Sequence, residues 1–306
     1  MLARDLVSRR HEAILFHTTS TALLAAPFLR GRTVLSLDST PASLLESSAH
    51  LGRAWGRAIG GASERAHASA YRAARALTPW SAWVQSSLVL DYDVDPGRIT
   101  VIPPGVDVSA WQPGAPRNGD GPLKLLFVGR DFGRKGGDVL LRAFTNHLEQ
   151  GRYELDVVTK ERLPTVPGVR VHHELPANSD ALRRLYEAAD VFVLPTRWDT
   201  FGIAAIEAMA SGLPVVASDL NAVPEIVADG SCGMLVRPGD PAALASAVTA
   251  LGHAPELRRR MGAEGRRIAE ERFDVEVNAR RVLDVLKRVA TESQAAVPEP
   301  GATVGI

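Results

Sequence analysis

At 306 residues the chain has room for one large or two modest domains, and a hydrophobic content of 45% supplies real cores. The formal net charge is zero, with no strongly cationic tail, which argues against bulk attraction to nucleic acid. A single cysteine, Cys232, excludes an internal disulfide framework and a cysteine-built zinc site, and no run of 18 apolar residues offers a membrane span. The charge is uneven, because residues 1–80 carry ten arginines against five acids. That excess reads either as ordinary arginine-rich helix surfaces or as a face for anionic headgroups or an anionic acceptor. The start, MLARDLVSRRHEAILF, crowds charges around a short apolar run and lacks a signal-peptide layout. A cytoplasmic location is expected, with peripheral membrane contact on the cytoplasmic face.

In chain order, MLARDLVSRR reads as the end of a helix, 13–16 as a short strand, 17–20 as its loop and 21–29 as the next helix. A second strand is expected over 34–37, followed by a largely helical stretch over 42–76 that Gly60 and Gly61 divide. Residues 76–79 lead from strand to turn, Trp80, Ser81 and Trp83 open a helix ending near Leu90, and 100–102 forms a strand that Pro103-Pro104-Gly105 terminates. His17 and Asp38 each follow a strand directly, where open α/β sheets present ligand-facing residues. The plainer readings are a polar residue closing a strand and a cap ahead of Pro41. Residues 113–121, polar and glycine-rich, read as an interdomain linker.

The second half opens with an apolar strand over 123–128, followed by GRDFGRKGGDVLLRAF. Gly129 and Gly136-Gly137 free the backbone before a helix over 139–148, while Arg130 and Lys135 bring two cations to the same turn. A diphosphate needs such fixed donors and compensating charge; arginine grips it bidentately and lysine acts as a point charge. Strands follow over 153–159 and 169–172. His172-His173 is no metal pair, since neighbours in a strand point opposite ways. Ser179 or Asp180 caps a helix over 181–188. Then come a buried strand over 191–194, a loop, the helical run FGIAAIEAMA stopped by Ser211-Gly212, and a strand over 213–217. This crossover unit puts Asp199, Thr200, Phe201, Gly202 and Ile203 at the carboxyl end of a parallel sheet, at a helix start whose N–H groups favour a phosphate or a sugar hydroxyl. Glu207 lies eight residues after Asp199, inside the helix. A strand over 234–236, helices over 241–251, 256–273 and 275–289, and a disordered tail over 292–306 complete the chain.

These segments carry a resemblance. GRDFGRKG resembles the G-R-x-x-x-x-K-G diphosphate motif, Asp199 with Glu207 the acidic-x7-acidic signature, and VPEIVADGSCGMLVRPGD a further run of retaining, metal-independent nucleotide-sugar glycosyltransferases of family 4. The usual signature begins with Glu, so Asp199 is one methylene shorter. The strand over 153–159 runs into Thr159-Lys160-Glu161 where the family usually has a glycine pair. TPWSAWVQSSLVLDYDVDPGRITVIPPGVD resembles the family's domain junction.

The resemblance implies an α/β fold of two facing Rossmann-like domains (GT-B), with the N-terminal one incomplete: residues 1–112 as a partial acceptor-side domain that starts in its middle, 113–121 as linker, 122–273 as the donor domain and 274–291 as a helix bracing the first domain. It also implies hexose transfer from a nucleoside-diphosphate sugar to a hydroxyl acceptor, carbohydrate or lipid-linked, with retained configuration and no metal or cofactor. In that scheme Arg130 and Lys135 stabilise the leaving diphosphate. Gly129 and Thr200 to Ile203 line the donor, Asp199 positions sugar hydroxyls, and Glu207 accepts from the ribose. The backbone near 171–177 meets the base, while His17 and Asp38 lie close to the acceptor or transferred sugar. Glu225 anchors a helix start, and Gly230 and Gly233 form turns. The rival reading is a nucleotide-sugar-binding protein that is inactive alone or depends on a partner for its acceptor domain. A Rossmann dehydrogenase is disfavoured, because no G-x-G-x-x-G opens a first strand.

Overall fold

Short apolar runs closed by a polar residue or a proline become parallel strands throughout, and the intervening amphipathic segments become the helices that cover them. The computed structural model describes residues 12–17, 31–47, 62–115, 121–173 and 175–295. They fall into two compact units, one ending at Pro103 and resuming at Asn278, the other running from Pro104 to Val277.

In the first unit, β1 (Ile14–His17), β2 (Thr33–Leu37) and β3 (Ala76–Pro79) form a parallel sheet in that order. The helices are α1 (Pro41–Ser47), α2 (Ala62–Ala73) and α3 (Ala82–Leu90). Ser81 caps α3 by accepting the Val84 N–H at 3.2 Å, one of the orphan donors of a helix start. Successive strand side chains face opposite ways, so Leu35 and Leu37 join Tyr71, Leu77, Val84 and Leu88 in one core while Val34 joins Ala76 and Ile102 in another. The expected loop and helix over 18–29, and 48–61 of the long helical stretch, lie outside the described residues.

The expected strand over 100–102 is corrected. The chain there runs beside β3 with one isolated bridge, Leu77 to Ile99, and two bonds, from Thr100 N–H to Leu77 O and from Ile102 N–H to Pro79 O. Pro79 has no N–H to return and Pro103-Pro104 cannot extend the ladder, so pairing stops.

In the second unit six parallel strands stand in the order β6-β5-β4-β7-β8-β9. They are β4 (Leu123–Val128), β5 (Tyr153–Thr159), β6 (Val169–His173), β7 (Val191–Leu194), β8 (Val215–Ser218) and β9 (Gly233–Val236). The helices are α4 (Gly137–Asn146), α5 (Asp180–Ala188), α6 (Ile203–Ala210), α7 (Val223–Ile226), α8 (Pro241–His253) and α9 (Pro255–Arg272). Leu125, Leu126, Phe127, Phe192 and Val193 are wholly buried, each contributing roughly 2 kcal/mol over exposure. The order reverses direction between β4 and β7, and that switch point is where doubly wound sheets open a crevice at their carboxyl ends.

Trp111, expected in the partial first domain, lies within the second unit, 2% exposed and edge-on to Tyr186. The last helix, α10 (Val275–Ala295), outruns its expected end. From Asn278 onward it belongs to the first unit, where Val285 and Val289 pack with Val34. The tail expected to be disordered from 292 is corrected over 292–295: Glu292 pairs with Arg75 at 2.7 Å, and Ser293 Oγ donates to Gly31 O at 2.6 Å. Residues 296–306 lie outside the described ones. Among the described residues no helix is long and apolar enough to cross a membrane.

Candidate functional site

Glycines bring the ends of β4 and β7 together. A Cβ on Gly129 would stand 2.8 Å from Phe127 Cζ and 2.9 Å from Lys135 Cβ. Gly136 has φ +75°, and a Cβ there would fall 1.8 Å from Pro195 O, so the start of α4 lies directly against the chain leaving β7. Gly202 opens α6 in the same left-handed conformation, with φ +104°. No side chain caps α4 or α6. The first N–H of α4, that of Gly137, is donated to Phe132 O at 2.8 Å, but the positive dipole ends of two helices without side-chain caps stand side by side at the switch point, an arrangement that suits an anion.

The two loops are laced into one body. Arg134 Nη1 donates to Trp198 O at 3.1 Å, and its guanidinium lies 5.5 Å from the Trp198 ring centre. The Arg197 N–H donates to Arg134 O at 3.0 Å, and Arg197 Nη2 pairs with Asp138 Oδ2 at 2.6 Å. Lys135 Nζ donates to Asp199 Oδ2. Asp199 is only 5% exposed, and burial of a charge requires such a partner. An ammonium has three donors, so Lys135 keeps two beyond this pair. Arg130 is exposed and makes no ion pair among the described residues.

Glu207 is half-buried on α6, and one of its oxygens, Oε2, accepts the Tyr186 hydroxyl at 2.8 Å. Burial pushes the Glu207 carboxyl up to about 7, only partly offset by that hydrogen bond. Burial, reinforced by the neighbouring Glu207, holds the Tyr186 phenol well above its ordinary range. Phe201 is 3% exposed and packs edge-on to Phe273 with ring centres 6.4 Å apart, so its ring belongs to the packing beneath the loop. Ile203 is exposed at the helix start, and Thr200 is half-buried.

Thus Gly129, Arg130, Lys135, Asp199, Thr200, Phe201, Gly202, Ile203 and Glu207 gather on two adjacent loops and the first turns of α6. His17 and Asp38 stand in the first unit, at the carboxyl ends of neighbouring β1 and β2. The His17 ring centre lies 5.5 Å from that of Trp80. Trp80 Nε1 donates to Ser36 Oγ at 3.1 Å, and Ser39 Oγ donates to Asp38 Oδ1 at 3.1 Å.

Sequence reasoning missed three supports. Glu161 accepts the Phe132 N–H at 2.7 Å and so fastens the Arg130 loop from β5; the signal was the departure from glycine after that strand. Asn221, at φ +51°, donates from Nδ2 to Asp199 O at 2.8 Å, and asparagine is among the few side chains at ease in that conformation. Tyr186 was the third. A hydroxyl on the apolar side of an amphipathic helix was its signal, because a buried phenol needs a partner. His172 meets Asp156 at 2.7 Å, Arg170 shares the same carboxylate, and among the described residues no three His, Cys, Asp or Glu side chains are placed to hold a metal.

Comparison with known proteins gives the same direction. Residues 122–253 match the sequence profile of the family described as Glycosyl transferases group 1. The chain is 33% identical over 214 residues to an MMP alpha-(1->4)-mannosyltransferase from Mycolicibacterium hassiacum, covering 66% of this chain and 51% of that protein. It is 36% identical over 231 residues to a D-inositol 3-phosphate glycosyltransferase 2 from Catenulispora acidiphila, covering 66% and 53%. The chain spans about half the length of these curated relatives. Among solved structures, Anabaena HepE in complex with UDP-glucose superimposes with a TM-score of 0.73 at 20% identity, over 94% of this chain and 82% of that one. Through residues 122–253 the chain is related to the glycosyl transferases of group 1, and it is built of two Rossmann-like α/β units as in the GT-B fold.

Proposed function

We propose that this chain is a retaining glycosyltransferase that moves a hexose from a nucleoside-diphosphate sugar to a hydroxyl acceptor without metal. One observation carries the reading: two uncapped, glycine-started helices meet at the switch point with Arg130 and Lys135 beside them. Such a cradle offers fixed N–H donors and two positive charges, the electrostatic work that a metal ion does in other transferases.

In this reading Arg130 and the two remaining donors of Lys135 hold the diphosphate. Asp199 keeps Lys135 in place and, with the backbone from Thr200 to Ile203, sets the sugar. Glu207 accepts from the ribose. As the acceptor oxygen bonds the anomeric carbon, the bond to the diphosphate breaks on the same face and the acceptor proton passes to a diphosphate oxygen. No protein nucleophile is required. His17, beside Trp80, and Asp38 serve the acceptor or the transferred sugar. The similarity to a mannosyltransferase and a D-inositol 3-phosphate glycosyltransferase, and to a protein solved with UDP-glucose, supports hexose donors; the acceptor in this reading is a carbohydrate or lipid-linked hydroxyl. The reading places the protein in the cytoplasm, and the basic first part suits peripheral contact with a membrane face.

The test is calorimetric titration with uridine, guanosine and adenosine diphosphates in the presence of a chelator, followed by turnover of the matching nucleotide sugars and NMR of the product anomer. Tight binding of one diphosphate and a product of unchanged configuration are expected. Binding without turnover would favour a donor-binding protein that needs a partner, and no binding would end the reading.

A further inference from the structure

Tyr186 is placed with unusual care for a residue outside every motif. Its ring stacks on Phe192 at 5.5 Å between centres and meets Trp111 edge-on at 4.9 Å, and the residue is completely buried. Leu182, one turn earlier on α5, and Ser179, which caps that helix by accepting the Leu182 N–H, fix the helix that carries it. The Trp111 segment is itself held, since Arg266 donates to both Trp111 O and Ala210 O at the end of α6. The hydroxyl has one short partner, Glu207 Oε2 at 2.8 Å, and a longer one, Ala204 O at 3.5 Å. Glu207 Oε1 has no partner among the described residues.

A glutamate side chain has three rotatable bonds, and free rotation would spread its acceptor oxygens over several positions. Tying one oxygen to a hydroxyl that cannot move leaves the other as a single directed acceptor. A carboxylate held in this way distinguishes a ligand that presents a hydroxyl from one that lacks it, because the open oxygen is otherwise left half-buried and unpaired. A cation does not fit the arrangement, since a phenol donating to the same carboxylate adds no negative charge.

We infer that Tyr186 is a positioning residue for Glu207, and that the pair makes the donor site select ribonucleoside over 2′-deoxyribonucleoside diphosphates. This rests on the donor-site reading above. Trp111 and Phe192 act behind Tyr186 by fixing its ring.

The experiment is calorimetry of the whole chain and of Tyr186→Phe with UDP, GDP and ADP, each beside its 2′-deoxy analogue. Phenylalanine keeps both ring contacts and removes only the hydroxyl. The parent should prefer the ribonucleotide by about tenfold, and Tyr186→Phe should lose about tenfold for the ribonucleotide while leaving the deoxy analogue unchanged, so that the preference disappears. Glu207→Gln should lose the preference too, and the double variant should bind no worse than Glu207→Gln alone. Equal losses for both nucleotides in Tyr186→Phe, or an undiminished preference, would overturn the positioning role while leaving the donor site intact. A parent that binds both nucleotides equally would overturn the ribose assignment alone. A parent that binds no diphosphate would overturn the donor site and this inference together. Should Tyr186→Phe unfold, Trp111→Phe, which loosens the same ring, must weaken the preference in the folded chain or the inference fails.

Discussion

The carboxyl ends of the two sheets make an instructive pair. In the second unit each charged or turning residue of the site is held by another: Lys135 by Asp199, Asp199 by Asn221, Glu207 by Tyr186, the Arg130 loop by Glu161. In the first unit His17 ends β1 beside Trp80, and Asp38, which follows β2, accepts a bond from its sequence neighbour Ser39. A site for one fixed chemical group, such as a diphosphate, repays rigid preorganisation. Side chains carried on the loops that follow strands can change with the partner they meet, while the sheet beneath them stays the same.

The largest effect should come from breaking the rigid side at its backbone. Gly136→Ala must hold a left-handed alanine against Pro195 O, and we expect the melting temperature to fall by roughly 10 °C, with diphosphate binding lost. Parent-like melting would mean that the two loops can part without cost.

Next is Glu207, where function and stability oppose each other. Its carboxyl is raised from 4.5 to about 7, so the folded protein holds this proton over a range in which the unfolded chain has released it. The stabilising contribution is present below pH 4.5 and is lost as the pH rises through 7. Glu207→Gln should therefore be more stable than the parent by about 3 kcal/mol at pH 8 and no more stable at pH 4. Denaturant melts at the two pH values would show this, and a difference independent of pH would refute it. The same titration predicts that ribonucleoside diphosphate affinity in the parent weakens as pH falls below 7.

A smaller change is expected for Arg130→Ala. Loss of an exposed guanidinium should weaken diphosphate binding about a hundredfold by calorimetry and leave the melting temperature unaltered, since the side chain is exposed and makes no ion pair among the described residues. Smallest of all, His17→Ala should leave diphosphate affinity unchanged and lower only the rate of transfer to the acceptor. A drop in diphosphate affinity would erase the contrast between the two sheets.

What the sequence disclosed and what it hid follow from the distance between interacting residues. The cradle was legible because β4, its glycine turn and α4 are contiguous, and the glycines and cations carry their own reasons. Val191–Leu194 and α6 were legible from an apolar run and a helix-forming one. Lys135 and Asp199 were both marked, but as servants of different parts of a ligand; their direct pairing joins residues 64 apart. The Tyr186 bond spans 21 residues and the Glu161 bond 29, and no local pattern announces such meetings. The failed strand over 100–102 has another cause: periodicity reported its apolar residues, while the missing N–H of Pro79 decided the pairing.

The strand order has a consequence for how the molecule comes into being. β4 and β7 are neighbours, and Lys124 N–H reaches Asp190 Oδ2 across 66 residues at 2.8 Å. That loop must close before the crevice exists, and closure of long segments in parallel sheets is among the slower events of folding. A fragment holding only β4, β5 and β6 lacks Asp199 and α6, and with them half of the proposed anion cradle. A nucleotide that binds there is thus a reporter of completed topology: it stabilises only chains in which the last long crossing has been made, and its binding after dilution from denaturant should appear with the slowest phase of refolding.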